Sequence, residues 1–316
     1  MIHPDAVAAV LTRIEPALNW TRIGDRAAVS GWPIAIERPV GEQCLPLVFC
    51  SPHSGAVYPA DFVESSLLDP LALRRSEDSF VDELFGAGPL LGAPLLRALF
   101  PRAYCDPNRE PYELDPHMFG DALPAFVNTT SVRVAGGLGT IARIVSNGAE
   151  IYRDKLLFAE AERRIDACWR PYHDALAVLL ENTRAQFGMA LLIDCHSMPS
   201  TGCLGERDHG RRRADIVLGD RHGASCSPLL IRRAEGILHG LGFRTARNAP
   251  YAGGYTTQHY GRPDVGFHAL QIEINRGLYM DEERIERGAD FDDLANRLTL
   301  FIGQLAATDW TEVGQR

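Results

Sequence analysis

The chain has 316 residues, 46% of them hydrophobic and 23% charged, and a formal net charge of −9. This is the composition of a soluble globular protein, and the acidic balance argues against a general nucleic-acid binder. No apolar run reaches membrane-spanning length, and Lys155, the only lysine, stands outside any P-loop pattern.

In chain order, the start Met1-Ile2-His3-Pro4-Asp5 lacks the basic and apolar regions of a signal peptide. Residues 4–18 read as an amphipathic helix, and 45–50 as a buried strand. Residues 79–100 are helix and strand material broken by glycines, and 101–128 read mostly as loop. The longest helical pattern spans 149–187, interrupted near Pro171 and closed by Gly188. A second strand follows at 189–194, a polar loop at 199–213, a helix at 228–242 and a third strand at 268–275. Helices alternating with apolar strands predict a single α/β domain over residues 1–316 with a mixed, largely parallel sheet. The seven cysteines form no Cys-x-x-Cys pair, and their odd number suggests reduced thiols in a cytoplasm.

Two stretches share one construction. "LVFCSPHSG" runs from an apolar strand into His53, and "ALLIDCHSMPSTG" runs from another into His196. Ligands of open α/β sheets bind beyond the carboxyl ends of strands, so the two histidines can meet in one crevice. Imidazole is a common zinc ligand, and a catalytic zinc usually has three protein ligands. "RRSEDSFVDEL" offers Glu77, Asp78 and Asp82 as the third, and spacing alone does not choose among them. In "HALQIEIN" the alternation puts Gln271, Glu273 and Asn275 on one face. Glu273 there is either a general base or a partner for an arginine such as Arg276. Asn108, Arg109 and the upstream Arg102 lie in a loop and suit a carboxylate ligand or an ordinary turn. "YAGGYTTQHYG" reads as a glycine turn, with His259 a reserve candidate for metal or substrate.

Together the stretches "SPHSG", "EDSFVDEL", "DPNR", "IARIVSNGAEIY", "DCHSMP", "NAPYAGGYTTQHYG" and "ALQIEINRGLYMDE" resemble the N-formylglutamate amidohydrolase family over roughly residues 45–285. That family looks related to zinc carboxypeptidases and aspartoacylase, which implies a three-layer α/β/α fold. The relatives begin their zinc site with His-x-x-Glu, whereas the fourth residue here is Ala56. The resemblance therefore implies zinc on His53, His196 and a replacement carboxylate, Asp78 before Glu77. It implies Glu273 as the catalytic glutamate and Arg102 facing the scissile carbonyl. Asn108 and Arg109 would hold a substrate carboxylate, with Arg143 and Arg276 as further candidates. The partner implied is a small molecule bearing a carboxylate.

Three rivals compete with this reading. "VRVA" followed by "GLGTIA" fits a loose dinucleotide-binding pattern. Cys195 beside His196 suggests a nucleophilic hydrolase, although strand neighbours point apart. A binding protein would keep the pocket and need neither the metal nor Glu273.

Overall fold

The computed structural model describes residues 20–22, 33–202 and 208–310; the helix expected at 4–18 lies outside them. Seven strands form the central sheet: β1 (Ile34–Glu37), β2 (Leu47–Ser51), β3 (Leu95–Ala98), β4 (Ala190–Met198), β5 (Ile216–Gly219), β6 (Thr245–Arg247) and β7 (Phe267–Asn275). Their spatial order is β1-β3-β2-β4-β7-β5-β6. Strands β3, β2, β4 and β7 run parallel, while β1 pairs antiparallel with β3 and β5 with β7. The carboxyl ends of β2, β4 and β7 therefore lie side by side.

The main helices are α1 (Val81–Leu84), α2 (Phe158–Arg164), α3 (Arg170–Phe187), α4 (Pro228–Gly240), α5 (Tyr255–Tyr260) and α6 (Phe291–Ala306). The period-2 alternation of the strands divides the core between two faces. Phe49, Ile193 and Leu270 pack with Leu84 of α1, Leu238 of α4 and Leu298 of α6. Val48, Leu192 and Ala269 pack on the other side with Tyr172, Leu176 and Leu180 of α3. Helices thus cover both faces of a mixed, largely parallel sheet, the three-layer α/β/α arrangement.

Several local expectations change. The helix expected from 149 begins at Phe158 and runs past Pro171. A π-helical turn, Ile165–Trp169, precedes the proline and accommodates its ring and missing N–H. "VRVA" is a helical turn, Val132–Ala135, capped by Ser131, whose Oγ accepts from the Val134 amide at 3.0 Å. The cap outweighs the strand preference of two valines, and the dinucleotide rival loses its strand. Residues 255–260 form α5 rather than a turn. β4 continues to Met198 because β7 pairs with it residue for residue up to Met198 opposite Asn275. His196 is therefore inside the strand and not past its end. Arg213, expected in a solvated loop, is buried and bonds Asp208 and the Tyr251 hydroxyl.

Candidate active site

The face of the sheet beneath α3 changes character halfway along. In β4 it carries Ala190 and Leu192, then Asp194 and His196; in β7 it carries Phe267 and Ala269, then Gln271 and Glu273. Register pairs Leu192 with Ala269, Asp194 with Gln271 and His196 with Glu273. The apolar pairs pack in the core. His196, Gln271 and Glu273 line a cavity of about 1080 Å³ at the carboxyl end of the sheet.

His53 enters this cavity from the loop after β2. The loop is tight: a Cβ on Gly55 would stand 2.1 Å from the Phe100 carbonyl oxygen, so glycine is required there. The Asp78 amide donates to the His53 carbonyl at 3.0 Å and draws the 74–78 segment against it. Asp78 Oδ2 then lies 3.4 Å from His53 Nδ1 and 3.0 Å from His196 Nδ1. The two rings meet edge to face with centroids 4.7 Å apart.

Each histidine is backed by a carboxylate. His53 Nε2 donates to Asp106 Oδ1 at 2.7 Å; His196 Nε2 lies 3.0 Å from Asp194 Oδ1, while its Nδ1 donates to Asp78 Oδ2 at 3.0 Å. The Asp106 bond places the His53 ring proton on Nε2 and aims its Nδ1 lone pair inward, the way an outer carboxylate orients a metal-binding imidazole. His53 Nδ1 is buried with no hydrogen-bond partner, which is costly unless something else satisfies it. His53, Asp78 and His196 each offer a ligand atom, all within 4.8 Å of one another. Two imidazoles and a carboxylate suit a divalent cation such as zinc, so the residues present fit the group.

The electrostatics favour positive charge at this point. Burial would raise the Asp78 carboxyl, but the bond from His196, the nearby His53 ring and the charge of Arg276 hold it well below the usual range. Burial acts the same way on Asp106, and is outweighed by Arg102, His53 and Arg109. His196 would be pushed down by burial, yet Asp194, Asp78 and Glu273 lift it well above its ordinary value. Glu273 is pushed up to about 7, mainly by burial, against the attraction of His196. Its Oε1 accepts from Gln271 Nε2 at 2.8 Å. A carboxyl poised near neutrality beside a metal-type cluster can take up and return a proton.

The other expected residues divide. Glu77 turns away to Tyr58, Ser79 and Arg74, and Asp82 pairs with Arg97, which leaves Asp78 as the carboxylate in the cluster. Arg102 lines the cavity and holds Asp106 through Nη2 at 2.7 Å. Arg109 spends Nε and Nη1 on the carbonyls of Leu138 and Asn108. Asn108 has its Oδ1 on the Thr256 amide and its Nδ2 3.2 Å from His196 Nε2, so both amide ends are engaged. Arg276 donates to Asp78 Oδ1 at 2.8 Å and to Ser197 Oγ, which makes it a brace for Asp78. Arg143 does not line the cavity; it pairs with Asp115 at 2.9 Å and Glu150 at 3.2 Å. His259 stacks on Tyr255 outside the cavity. Cys195 faces the apolar side of the sheet, away from His196. Sequence reasoning missed Asp106 and Asp194, and put Gln271 on the Glu273 face without a role. A signal existed for Asp194: it lies two residues before His196, hence on the same strand face.

Comparison with known proteins identifies the family. Residues 45–280 match the family described as N-formylglutamate amidohydrolase. N-formylglutamate deformylase of Pseudomonas putida is 30% identical over 264 residues, 83% of this chain and 91% of that protein. The deformylase of Pseudomonas aeruginosa is 30% identical over 248 residues, 76% of this chain and 84% of that protein. The crystal structure of N-formylglutamate amidohydrolase from Ralstonia eutropha JMP134 is 40% identical, covers 87% of this chain and 97% of its own, and superposes with a TM-score of 0.81. A second solved structure, a gene product of Agrobacterium tumefaciens, shares the fold at 20% identity and a TM-score of 0.56. On the match over most of its length and the relatives of that name, this chain belongs to the N-formylglutamate amidohydrolase family.

Proposed function

We propose that this protein is a metal-assisted amidohydrolase that cleaves the formyl–nitrogen bond of N-formyl-L-glutamate. His53 Nδ1, Asp78 Oδ2 and His196 Nδ1 would hold the cation, with zinc best suited to two imidazoles and one carboxylate. Such an ion lowers the pKa of a water and polarises an acyl oxygen. Asp106 keeps the His53 ring in the required tautomer, Asp194 lies 3.0 Å from His196 Nε2, and Arg276 holds the second oxygen of Asp78 away from the cluster. Glu273 Oε1 is fixed by Gln271, so Oε2 is the atom that takes the proton of the attacking water. The carbon–oxygen bond forms, the carbon–nitrogen bond breaks, and Glu273 returns the proton to the leaving nitrogen. Formate and glutamate result. Arg102 keeps donors beyond its Asp106 contact for the developing oxyanion, and Arg109 Nη2, 3.8 Å from Asp106 Oδ2 and beyond hydrogen-bond distance of it, is the donor for a substrate carboxylate.

The observation that carries this reading is the register pairing of His196 with Glu273, which puts that glutamate beside the His–Asp–His set. Deformylase relatives at 30% identity supply the substrate class. Formate release from N-formyl-L-glutamate, together with metal analysis before and after chelation, tests it. Activity that survives complete removal of metal, or no formate release from the metal-loaded protein, overturns it.

A further inference from the structure

N-formyl-L-glutamate carries two carboxylates, and a site selective for it needs a cation for each. Among the described residues, six arginines line the cavity. Arg74 is clamped by Glu77, Arg276 holds Asp78, and Arg102 holds Asp106. Arg109 bonds two backbone carbonyls and lies 3.8 Å from Asp106, and Arg133 lies 3.9 Å from Glu113. Arg75 differs: its guanidinium has no carboxylate or carbonyl partner among the described residues, although it is only partly exposed.

Its backbone, by contrast, is anchored. The Arg75 carbonyl accepts from Ser146 Oγ at 2.7 Å, and the Ser146 amide donates to Ser76 Oγ at 3.0 Å. The short helical turn Arg74–Ser76 leads directly to Asp78, so Arg75 stands three residues from the metal-type cluster. A pinned backbone with an uncommitted guanidinium is a preorganised anion receptor, because binding need not break an existing ion pair.

We infer that Arg75 is the specificity-determining residue that recognises the distal, side-chain carboxylate of the substrate. This rests on the proposed deformylase reading. Arg109 then serves the carboxylate next to the scissile amide.

The test compares N-formyl-L-glutamate with N-formyl-L-glutamine, which is nearly the same shape without the charge. Arg75→Gln should lower kcat/KM for N-formyl-L-glutamate about 30-fold and change that for N-formyl-L-glutamine less than about threefold. Arg75→Lys should restore part of the preference, and Arg133→Gln should leave it unchanged. A folded Arg75→Gln enzyme that keeps the native preference, or loses both activities in parallel, overturns the inference; so does a preference that disappears with Arg133 instead. Should the native enzyme hydrolyse neither compound, the deformylase reading fails, and equilibrium binding of the same two compounds decides on Arg75. Tighter binding of the glutamate compound that Arg75→Gln abolishes supports the inference, and equal binding by native and variant protein removes it.

Discussion

The two faces of strands β4 and β7 make opposite use of the same backbone. On one, Ile193, Cys195, Leu270, Ile272 and Ile274 are apolar along the strands and pack beneath helices. On the other, the apolar run stops after Leu192 and Ala269, and the next positions are Asp194, His196, Gln271 and Glu273. The first face stabilises by burial alone. The second buries ionisable groups, which is tolerable only because each has a partner or a task. The apolar and the ionisable positions are thus separated by a single residue step along a strand.

Replacing Glu273 by Gln, on the ionisable face, should have the largest effect. Turnover should fall about 10²- to 10⁴-fold while metal content and thermal midpoint hold. An active Glu273→Gln enzyme would remove Glu273 as the base. One residue away on the apolar face, Ile272→Ala should behave in the opposite sense. It should cost about 2–5 kcal/mol of stability, measured by urea denaturation, with kcat per folded molecule unchanged. A large loss of kcat without loss of stability would erase the distinction between the faces.

Behind the histidines, Asp106→Asn or Asp194→Asn should weaken metal binding about 10- to 100-fold, read by competition with a chromogenic chelator. Unchanged affinity in both variants would reduce these carboxylates to packing. The smallest effect is expected away from both faces. Arg143→Ala should cost less than about 1 kcal/mol and leave KM alone, since Arg143 is committed to Asp115 and Glu150. Burial would raise the Asp115 carboxyl, but the His117 amide and Arg143 hold it below its ordinary value. A depressed carboxyl stabilises the fold above its unfolded pKa, about 3.9, and that contribution is lost as pH falls through the folded value. The difference between native protein and Arg143→Ala should therefore shrink on acidification; a raised KM would instead return Arg143 to the substrate site.

Much of this was legible in the chain itself. Apolar runs placed β2, β4 and β7 and predicted a mixed, largely parallel sheet, because burial on both faces demands continuous hydrophobic strands. The shared strand-to-histidine construction marked His53 and His196, and period-2 alternation put Glu273 on a polar face. What needed the tertiary structure was everything set by contact across the sheet. The selection of Asp78 over Glu77 and Asp82 came from one backbone hydrogen bond to His53 and from partners that draw the other two acids away. The carboxylates behind the rings, the bracing role of Arg276, the outward turn of Arg143 and the uncommitted guanidinium of Arg75 followed the same rule. Periodicity dictates which way a side chain points; only the packed neighbours decide which charge it meets.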